Sequence, residues 1–357
     1  MLFRGRSLMK RIAVIPGDGI GVEVTREAVR VLERVSDSYH LGLQLTQFDW
    51  GAEKYLKEGV SLPDGALAML ATQYDAILTG AFGDPRVPSN RHAADILLGM
   101  RFGLDLYINL RPIRLLHDSL TPLKGRTRSD IDFVVFRENT EGMYMNAGGV
   151  LKKGTADEVA IQEEISTRKG VERIIRAAFE YARARQRRSV TMADKANVLT
   201  FGHELWRRVF KSVAVDFPEI TARAEYVDAM AMFMVTDPGR YEVIVTNNLF
   251  GDILTDLGAA LQGGLGVAAS ANLHPGRTSL FEPVHGSAPD KVGRGLANPI
   301  GAILSCAMML ENLGFSDASG AIEKAVETAV EAGDVTPDLG GSLATESAAL
   351  AICSRIS

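Results

Sequence analysis

The sequence predicts an α/β fold with a largely parallel sheet, on three observations. Short apolar runs, each long enough for one buried strand, alternate with stretches whose apolar residues recur at helical spacing. A glycine-rich turn, Pro16–Gly21, links the first run to the first helical stretch. Apolar residues make up 46% of the 357 and charged residues 23%, the balance of a folded globular chain rather than a disordered or fibrous one, with length for two domains or one large one.

The elements follow in order. Arg11–Ile15 reads as a buried strand entering that turn, after which Val24, Ala28, Val31, Leu32 and Val35 mark one face of a helix. Ala76–Leu78, Phe133–Phe136, Ser189–Met192 and Val243–Thr246 are further strands, short, apolar and bounded by helix or turn signals. Val171, Ile174, Ile175, Ala178 and Ala182 give a helix ending in the basic run RARQRR, which suits a solvated helix C-terminus. From Tyr144 to Gly170 the rhythm breaks. Gly148-Gly149, Lys152-Lys153-Gly154 and the alternation at Val159, Ile161 and Ile165 suit antiparallel strands in a projecting arm. Two strands alone cannot bury both faces, so pairing with a second copy is expected, as a two-fold homodimer. The cluster GGLGVAASA, residues 263–271, reads as a crossover between domains or as a loop.

Several classes are excluded. Lys plus Arg number 39 against 44 Asp plus Glu, a net charge of −5 that lacks the basic excess of a nucleic-acid binder. Ala302–Leu310, among the longest apolar stretches, is far short of the roughly 20 residues that span a bilayer, and Ser305 interrupts it. The start of the chain is basic, but its apolar run, Ile12–Ile15, is too short for a secretory signal, and residues before about Met9 are expected to fray. Cys306 and Cys353, both in apolar surroundings, suit buried thiols in a reducing, cytoplasmic compartment.

The chemistry-bearing groups are scattered. Asp252 and Asp256 are four apart, on one face of a helix, where two like charges either bind a hard divalent cation such as Mg²⁺ or Mn²⁺ or stand solvated near a helix N-terminus. Asp228 follows a short strand and suits a helix N-cap. Lys195 and Asn197 sit in ADKAN, after the strand SVTM, where α/β sheets present functional groups; a solvated lysine is the alternative. Arg101, Arg111 and Arg137 carry forks that match carboxylates, or else serve as ordinary ion-pair arginines, and Tyr144 is a candidate acid or a core tyrosine. His285-Gly286-Ser287-Ala288-Pro289-Asp290 and Asn298 form a turn able to press backbone amides against a ligand, with Asp290 placed to accept from ribose hydroxyls and repel a 2′-phosphate.

Taken in order, IPGDGIG, GAFGDP, NLRP, RENTEG, ADKAN, YVDAMAM, NLFGDILTDLGA, FEPVHGSAPD and LANPIGAIL resemble the β-decarboxylating dehydrogenase family, which includes 3-isopropylmalate, isocitrate, homoisocitrate and tartrate/malate dehydrogenases. The resemblance covers nearly the whole chain. It implies an isopropylmalate dehydrogenase-like two-domain fold: residues 1–105 with 264–357 hold NAD, and residues 106–263 form the second domain with the dimer arm, the substrate and metal site lying at the domain cleft. It further implies NAD contacts from His285, Gly286, Ser287, Ala288, Asp290 and Asn298, with Asn197 near the nicotinamide. Arg101, Arg111 and Arg137 would hold the 2-hydroxy dicarboxylic acid. Asp252 and Asp256, with Asp228 of a second subunit, would bind Mg²⁺ or Mn²⁺ and line the substrate. Lys195, also from the second subunit, would take the hydroxyl proton and Tyr144 would protonate the enol carbon, in an active site shared between subunits.

The stretch from His92 to Arg101 bears on which acid. Isocitrate-type members place a serine and an asparagine where this chain has Asp95 and Leu97. An acidic, apolar wall disfavours a third carboxylate, and burying an isopropyl group against Leu97 and Leu98 is worth roughly 2 kcal/mol, so 3-isopropylmalate is the expected substrate. Ala94 stands where isopropylmalate enzymes carry a glutamate, and RENTEG, GGVLKKGTADEVAIQ and SANLHPGR look closer to the tartrate/malate branch, which is the alternative.

Overall fold

The structure, a computed structural model, describes residues 9–357, so the basic start expected to fray lies outside the described residues. The strands are β1 (Lys10–Ile15), β2 (Leu43–Gln47), β3 (Ala76–Thr79), β4 (Ile108–Arg114), β5 (Asp132–Glu138) and β6 (Gly148–Leu151). They continue with β7 (Val159–Gln162), β8 (Ser189–Asp194), β9 (Thr221–Tyr226), β10 (Val243–Thr246), β11 (Ala269–Leu273) and β12 (Ser279–Pro283). The helices are α1 (Ile20–Tyr39), α2 (Ala52–Glu58), α3 (Ala66–Gln73), α4 (Arg91–Gly103), α5 (Arg168–Ala184) and α6 (Gly202–Ala214). After them come α7 (Val227–Thr236), α8 (Asn248–Gln262), α9 (Ile300–Asn312), α10 (Ser316–Glu331) and α11 (Thr345–Cys353). The five buried strands expected from apolar runs all form, as do the two amphipathic helices. Two compact units result: one runs to Leu106 and adds Leu115–Pro122 and Gln262–Ser357, the other holds Tyr107–Arg114 and Leu123–Leu261.

In the first unit the strand order is β2-β1-β3-β12-β11. All neighbours run parallel except β11 and β12. Ile12–Ile15 are buried because α1 and α9 cover one face of the sheet while α3 and α4 cover the other. Helix α9 is apolar nearly all round, as a helix packed on several sides must be, and its Cys306 is fully buried, whereas Cys353 is only half-buried at the end of α11. The cluster at residues 263–271 is not one loop: a turn over Leu265–Val267 precedes Ala269, which already lies in β11 opposite Pro283 of β12. Gly19, at φ 57°, has no room for a side chain, since a Cβ would meet the Ser287 carbonyl oxygen at 2.2 Å. The next amide, Ile20 N–H, donates to that oxygen at 2.8 Å and ties the first turn to the loop after β12.

The second unit orders its strands β4-β5-β10-β8-β9, antiparallel only between β4 and β5. Thr167 caps α5 by accepting from Gly170 N–H at 3.0 Å. The basic run after α5 is more than a solvated helix end. Arg183 stacks over Phe217 and pairs with Glu219 at 2.7 Å, and Arg187 pairs with Asp132 at 2.8 Å, because the neighbouring segments bring acids and an aromatic face to it. Strands β6 and β7 form an antiparallel hairpin in which every residue is exposed, Val150, Leu151, Val159 and Ile161 included. No helix among the described residues is long and apolar enough to cross a membrane.

Ile303 is fully buried in α9, and Leu350 is exposed on α11. Ile303→Ala should cost about 2–5 kcal/mol through lost burial and a residual cavity. Leu350→Ala should stay within about 0.5 kcal/mol. Chemical denaturation of both variants measures the difference, and equal costs would contradict this packing.

Candidate active site

Helix α8 organises the second unit's polar centre. Asn247 accepts from Phe250 N–H at 2.9 Å and so caps the first turn. Asn248, Asp252, Thr255 and Asp256 then fall on one face at spacings of three and four. Onto this face comes Arg137 from the end of β5, only 1% exposed. Its Nε and Nη2 donate to Asn248 Oδ1 at 3.0 and 2.7 Å, and its Nη1 donates to Asp252 Oδ1. Gly251 makes this approach possible, since a Cβ there would stand 2.5 Å from Arg137 Cγ. Arg111 of β4 donates to Thr255 Oγ1 at 2.7 Å and lies 3.7 Å from Asp252 and 3.8 Å from Asp256. Tyr144 donates its hydroxyl to Asp252 Oδ2 at 2.6 Å, with the Arg137 guanidinium 5.0 Å above its ring. Five candidates, Arg111, Arg137, Tyr144, Asp252 and Asp256, are thus brought together.

Burial and then the charge of Asp252 push the Asp256 carboxyl above its ordinary range, against the pull of Arg111 and Arg137. A divalent cation between the two carboxylates would relieve that repulsion, so the oxygen donors fit one. Within one chain a third acid does not join them: among the described residues no cluster of three or more His, Cys, Asp or Glu forms a metal-binding arrangement. Asp228 instead accepts from Lys195 Nζ at 2.7 Å, which holds its carboxyl below the usual range. Nor is Asp228 a helix N-cap. Strand β9 runs straight into α7, Tyr226 takes the extended cap position, and Asp228 is the second helical residue. Asn197 is exposed in the turn after Lys195.

The first unit holds the remaining candidates. On α4, Leu97, Leu98 and Arg101 lie on one side; Leu97 packs on the core that contains Ile96 and Met100, and Leu98 is half-buried. Asp95 is exposed and stands three residues before Leu98, on the same side of the helix. Its carboxylate accepts from Ser61 Oγ at 3.0 Å and lies 3.7 Å from Arg91. Arg101, buried, donates to Glu282 at 3.1 Å, an acid that also accepts from Asn272 at 2.7 Å. In the loop after β12, His285 Nδ1 lies 3.0 Å from Gly286 O while its buried Nε2 has no partner among the described residues. Burial pushes the imidazole pKa down, leaving a neutral ring with one polar atom to offer, which fits a nucleotide. Gly286 and Asp290 are exposed, Ser287 is buried, and Ala288 adopts φ 37°. The Asn298 side chain is used by the fold, donating to Asp338 at 3.0 Å and accepting from Ile300 N–H at 3.0 Å.

Sequence reading missed the groups that hold the candidates: Asn248 and Thr255 on Arg137 and Arg111, Glu282 on Arg101, and His203, whose Nδ1 accepts from Lys195 N–H at 2.9 Å. The first two carried a signal, since both share the helical face of Asp252.

Guanidinium forks opposed to paired carboxylates, beside a phenol, equip an α/β enzyme to grip an acidic substrate and move protons on it. The family model described as isocitrate/isopropylmalate dehydrogenase matches residues 11–353, and the chain belongs to that family of dehydrogenases. The 3-isopropylmalate dehydrogenase of Thermobifida fusca is 49% identical over 318 residues, 88% of this chain and 90% of the relative. That of Streptomyces coelicolor is 48% identical over 340 residues, 93% and 97% of the two chains. The crystal structure of isocitrate dehydrogenase from Methylococcus capsulatus matches with a TM-score of 0.88 at 38% identity, covering 98% of this chain and 99% of that one.

Glu138, next to Arg137, braces the turn that leads to Tyr144 by accepting from Thr140 Oγ1 at 2.8 Å and Glu141 N–H at 2.6 Å. Burial pushes its carboxyl pKa above the ordinary value of 4.5. The folded state therefore binds this proton more tightly than the unfolded state, and stability is lost as pH rises from about 4.5 through the higher folded value. Glu138→Gln should flatten that part of the curve of melting temperature against pH; an unchanged slope would contradict the assignment.

Proposed function

We propose that the chain catalyses the NAD-dependent oxidative decarboxylation of 3-isopropylmalate to 2-oxoisocaproate, a step of leucine biosynthesis, with Mg²⁺ or Mn²⁺. The observation that carries this reading is the convergence of Arg111, Arg137 and Tyr144 on Asp252 and Asp256 in a chain about half identical to curated 3-isopropylmalate dehydrogenases. The Leu97–Leu98 side of α4, next to Arg101, supports an alkyl substituent on the substrate.

Arg101, Arg111 and Arg137 hold the substrate carboxylates. Their forks are already oriented by Glu282, Thr255 and Asn248, so little rotamer freedom is lost on binding. Lys195 accepts the hydroxyl proton as the carbinol hydride departs. Tyr144 returns a proton to the carbon that CO₂ leaves, and its hydrogen bond to Asp252 keeps the phenol in place. Bound in their places, NAD⁺ supplies the hydride acceptor and the divalent ion the positive charge against which the substrate oxygen carries electrons. Asp252 and Asp256 would hold that ion with Asp228 of a second copy, and His285, Gly286, Ser287, Ala288, Asp290, Asn298 and Asn197 would hold NAD. A homodimer with a shared active site is supported by the exposed apolar residues Val198, Phe201, Met232 and Ile253 near these groups in the second unit, and by the exposed hairpin, which gains partners as a dimer arm. Oxidation of D-malate or tartrate is a second reading, favoured by Ala94, which stands where isopropylmalate enzymes carry a glutamate, and by the segments RENTEG, GGVLKKGTADEVAIQ and SANLHPGR.

Steady-state assays with 3-isopropylmalate, D-malate, tartrate, isocitrate and homoisocitrate should give the highest kcat/KM for 3-isopropylmalate; a preference for unsubstituted malate or tartrate selects the second reading. With the exposed Asp290 carboxylate repelling a 2′-phosphate, NAD⁺ should be preferred over NADP⁺ by about tenfold or more, and equal use would refute it. Mn²⁺ should raise the melting temperature of the parent by a few degrees, as expected for ligand linkage, and leave Asp252→Asn unmoved. An equal shift in both would take the ion away from α8.

A further inference from the structure

We propose that His203 and Asp194 are positioning residues that fix the backbone of Lys195, with His203 acting through the lone pair on Nδ1. The inference rests on the reading of Lys195 as the proton acceptor. A lysine one residue past a strand end has lost the ladder that would hold its backbone, and its four-carbon stem multiplies any backbone error at Nζ. Here that freedom is removed at every polar backbone atom. Lys195 N–H donates to His203 Nδ1 at 2.9 Å, and Lys195 O accepts from Val198 N–H at 2.9 Å and Leu199 N–H at 2.8 Å. The following amide, Ala196 N–H, donates to Asp194 Oδ1 at 2.8 Å.

Both braces are buried and neither is left to chance. Asp194 is 0% exposed, and its charge is met by the Arg207 fork, Nε at 2.7 Å and Nη2 at 3.1 Å. His203 and Arg207 are four apart on α6, so one helix face presents the imidazole to Lys195 and the guanidinium to Asp194 together. The imidazole can accept at Nδ1 only while neutral, because a protonated ring would oppose one donor with another. Burial favours the neutral form, with Arg207 acting in the same direction and Asp194 against it. In the tautomer that accepts at Nδ1 the other ring nitrogen carries the proton; it lies 3.3 Å from Asn247 Nδ2, itself a donor, so the hydrogen bond that fixes the ring's role is the one at Nδ1. His203 is 1% exposed, so it has no direct contact with substrate to offer.

The test compares His203→Asn, whose Oδ1 stands near the place of Nδ1, with His203→Gln, which carries its amide one carbon further, and with Lys195→Ala. Each is purified as the full chain, its melting temperature checked, and kcat and KM measured with the hydroxy acid that the parent oxidises fastest. His203→Gln should lower kcat about tenfold or more, since small misplacements of a reacting group are costly, with KM for acid and dinucleotide within about twofold. His203→Asn should recover most of kcat. A folded His203→Gln with the parent's kcat, or an Asn variant that falls as far as Gln, overturns the inference. If Lys195→Ala itself keeps full kcat, it is the reading of Lys195 that fails, and the inference with it; if that variant is dead while His203→Gln is unaffected, the positioning role alone is lost.

Discussion

A guanidinium buried to 1% exposure must be neutralised where it lies, and Arg137 is neutralised by one turn of α8. Asn248 takes two of its nitrogens and Asp252 a third, which fixes the rotation of the helix about its axis. Once that rotation is set, Thr255 meets Arg111, Asp252 meets Tyr144, and Asp256 is left with its carboxylate beside a like charge. Gly251 is the allowance the chain makes for this, a missing side chain where the arginine stem crosses the helix. The polar centre of the second unit therefore behaves as one object, and its parts are not independently variable.

The first unit uses a buried carboxylate in a comparable way. Asp18, in the first glycine-rich turn, accepts from Ala52 N–H at 2.6 Å and Gly83 N–H at 2.9 Å and pairs with His92 Nε2 at 2.7 Å. Four segments far apart in sequence are thereby joined, including the start of α4, which carries Leu97, Leu98 and Arg101. The same turn is tied to the loop after β12 through Ile20 and Ser287. Loops can be long and glycine-rich here because one side chain supplies acceptors that a strand or helix would otherwise have to provide.

Much of the fold could be read directly. Strands buried on both faces need continuous apolar runs, so β1, β3, β5, β8 and β10 were visible without knowledge of their neighbours. The pairing of Asp252 with Asp256, and the break in rhythm that becomes β6 and β7, follow from local periods alone. The polar partners were less visible. Glu282, Asn248 and His203 are ordinary residues until something faces them, and Asp95 and Asp228 take their partners, Ser61 and Lys195, from other elements.

By itself, the sequence determined the buried strands β1, β3, β5, β8 and β10, the amphipathic α1 and α5, which residues are chemically able to bind carboxylates, cations and nucleotides, and, through ordered motifs, the family. It could do so because side-chain period and backbone preference act over a few residues. Tertiary structure decided which arginine meets which acid, which hydroxyl Asp95 accepts from, and how Lys195 is braced. Those outcomes depend on desolvation and hydrogen-bond geometry between residues far apart in the chain, 181 positions for Arg101 and Glu282, and such terms have no value until the chain has folded.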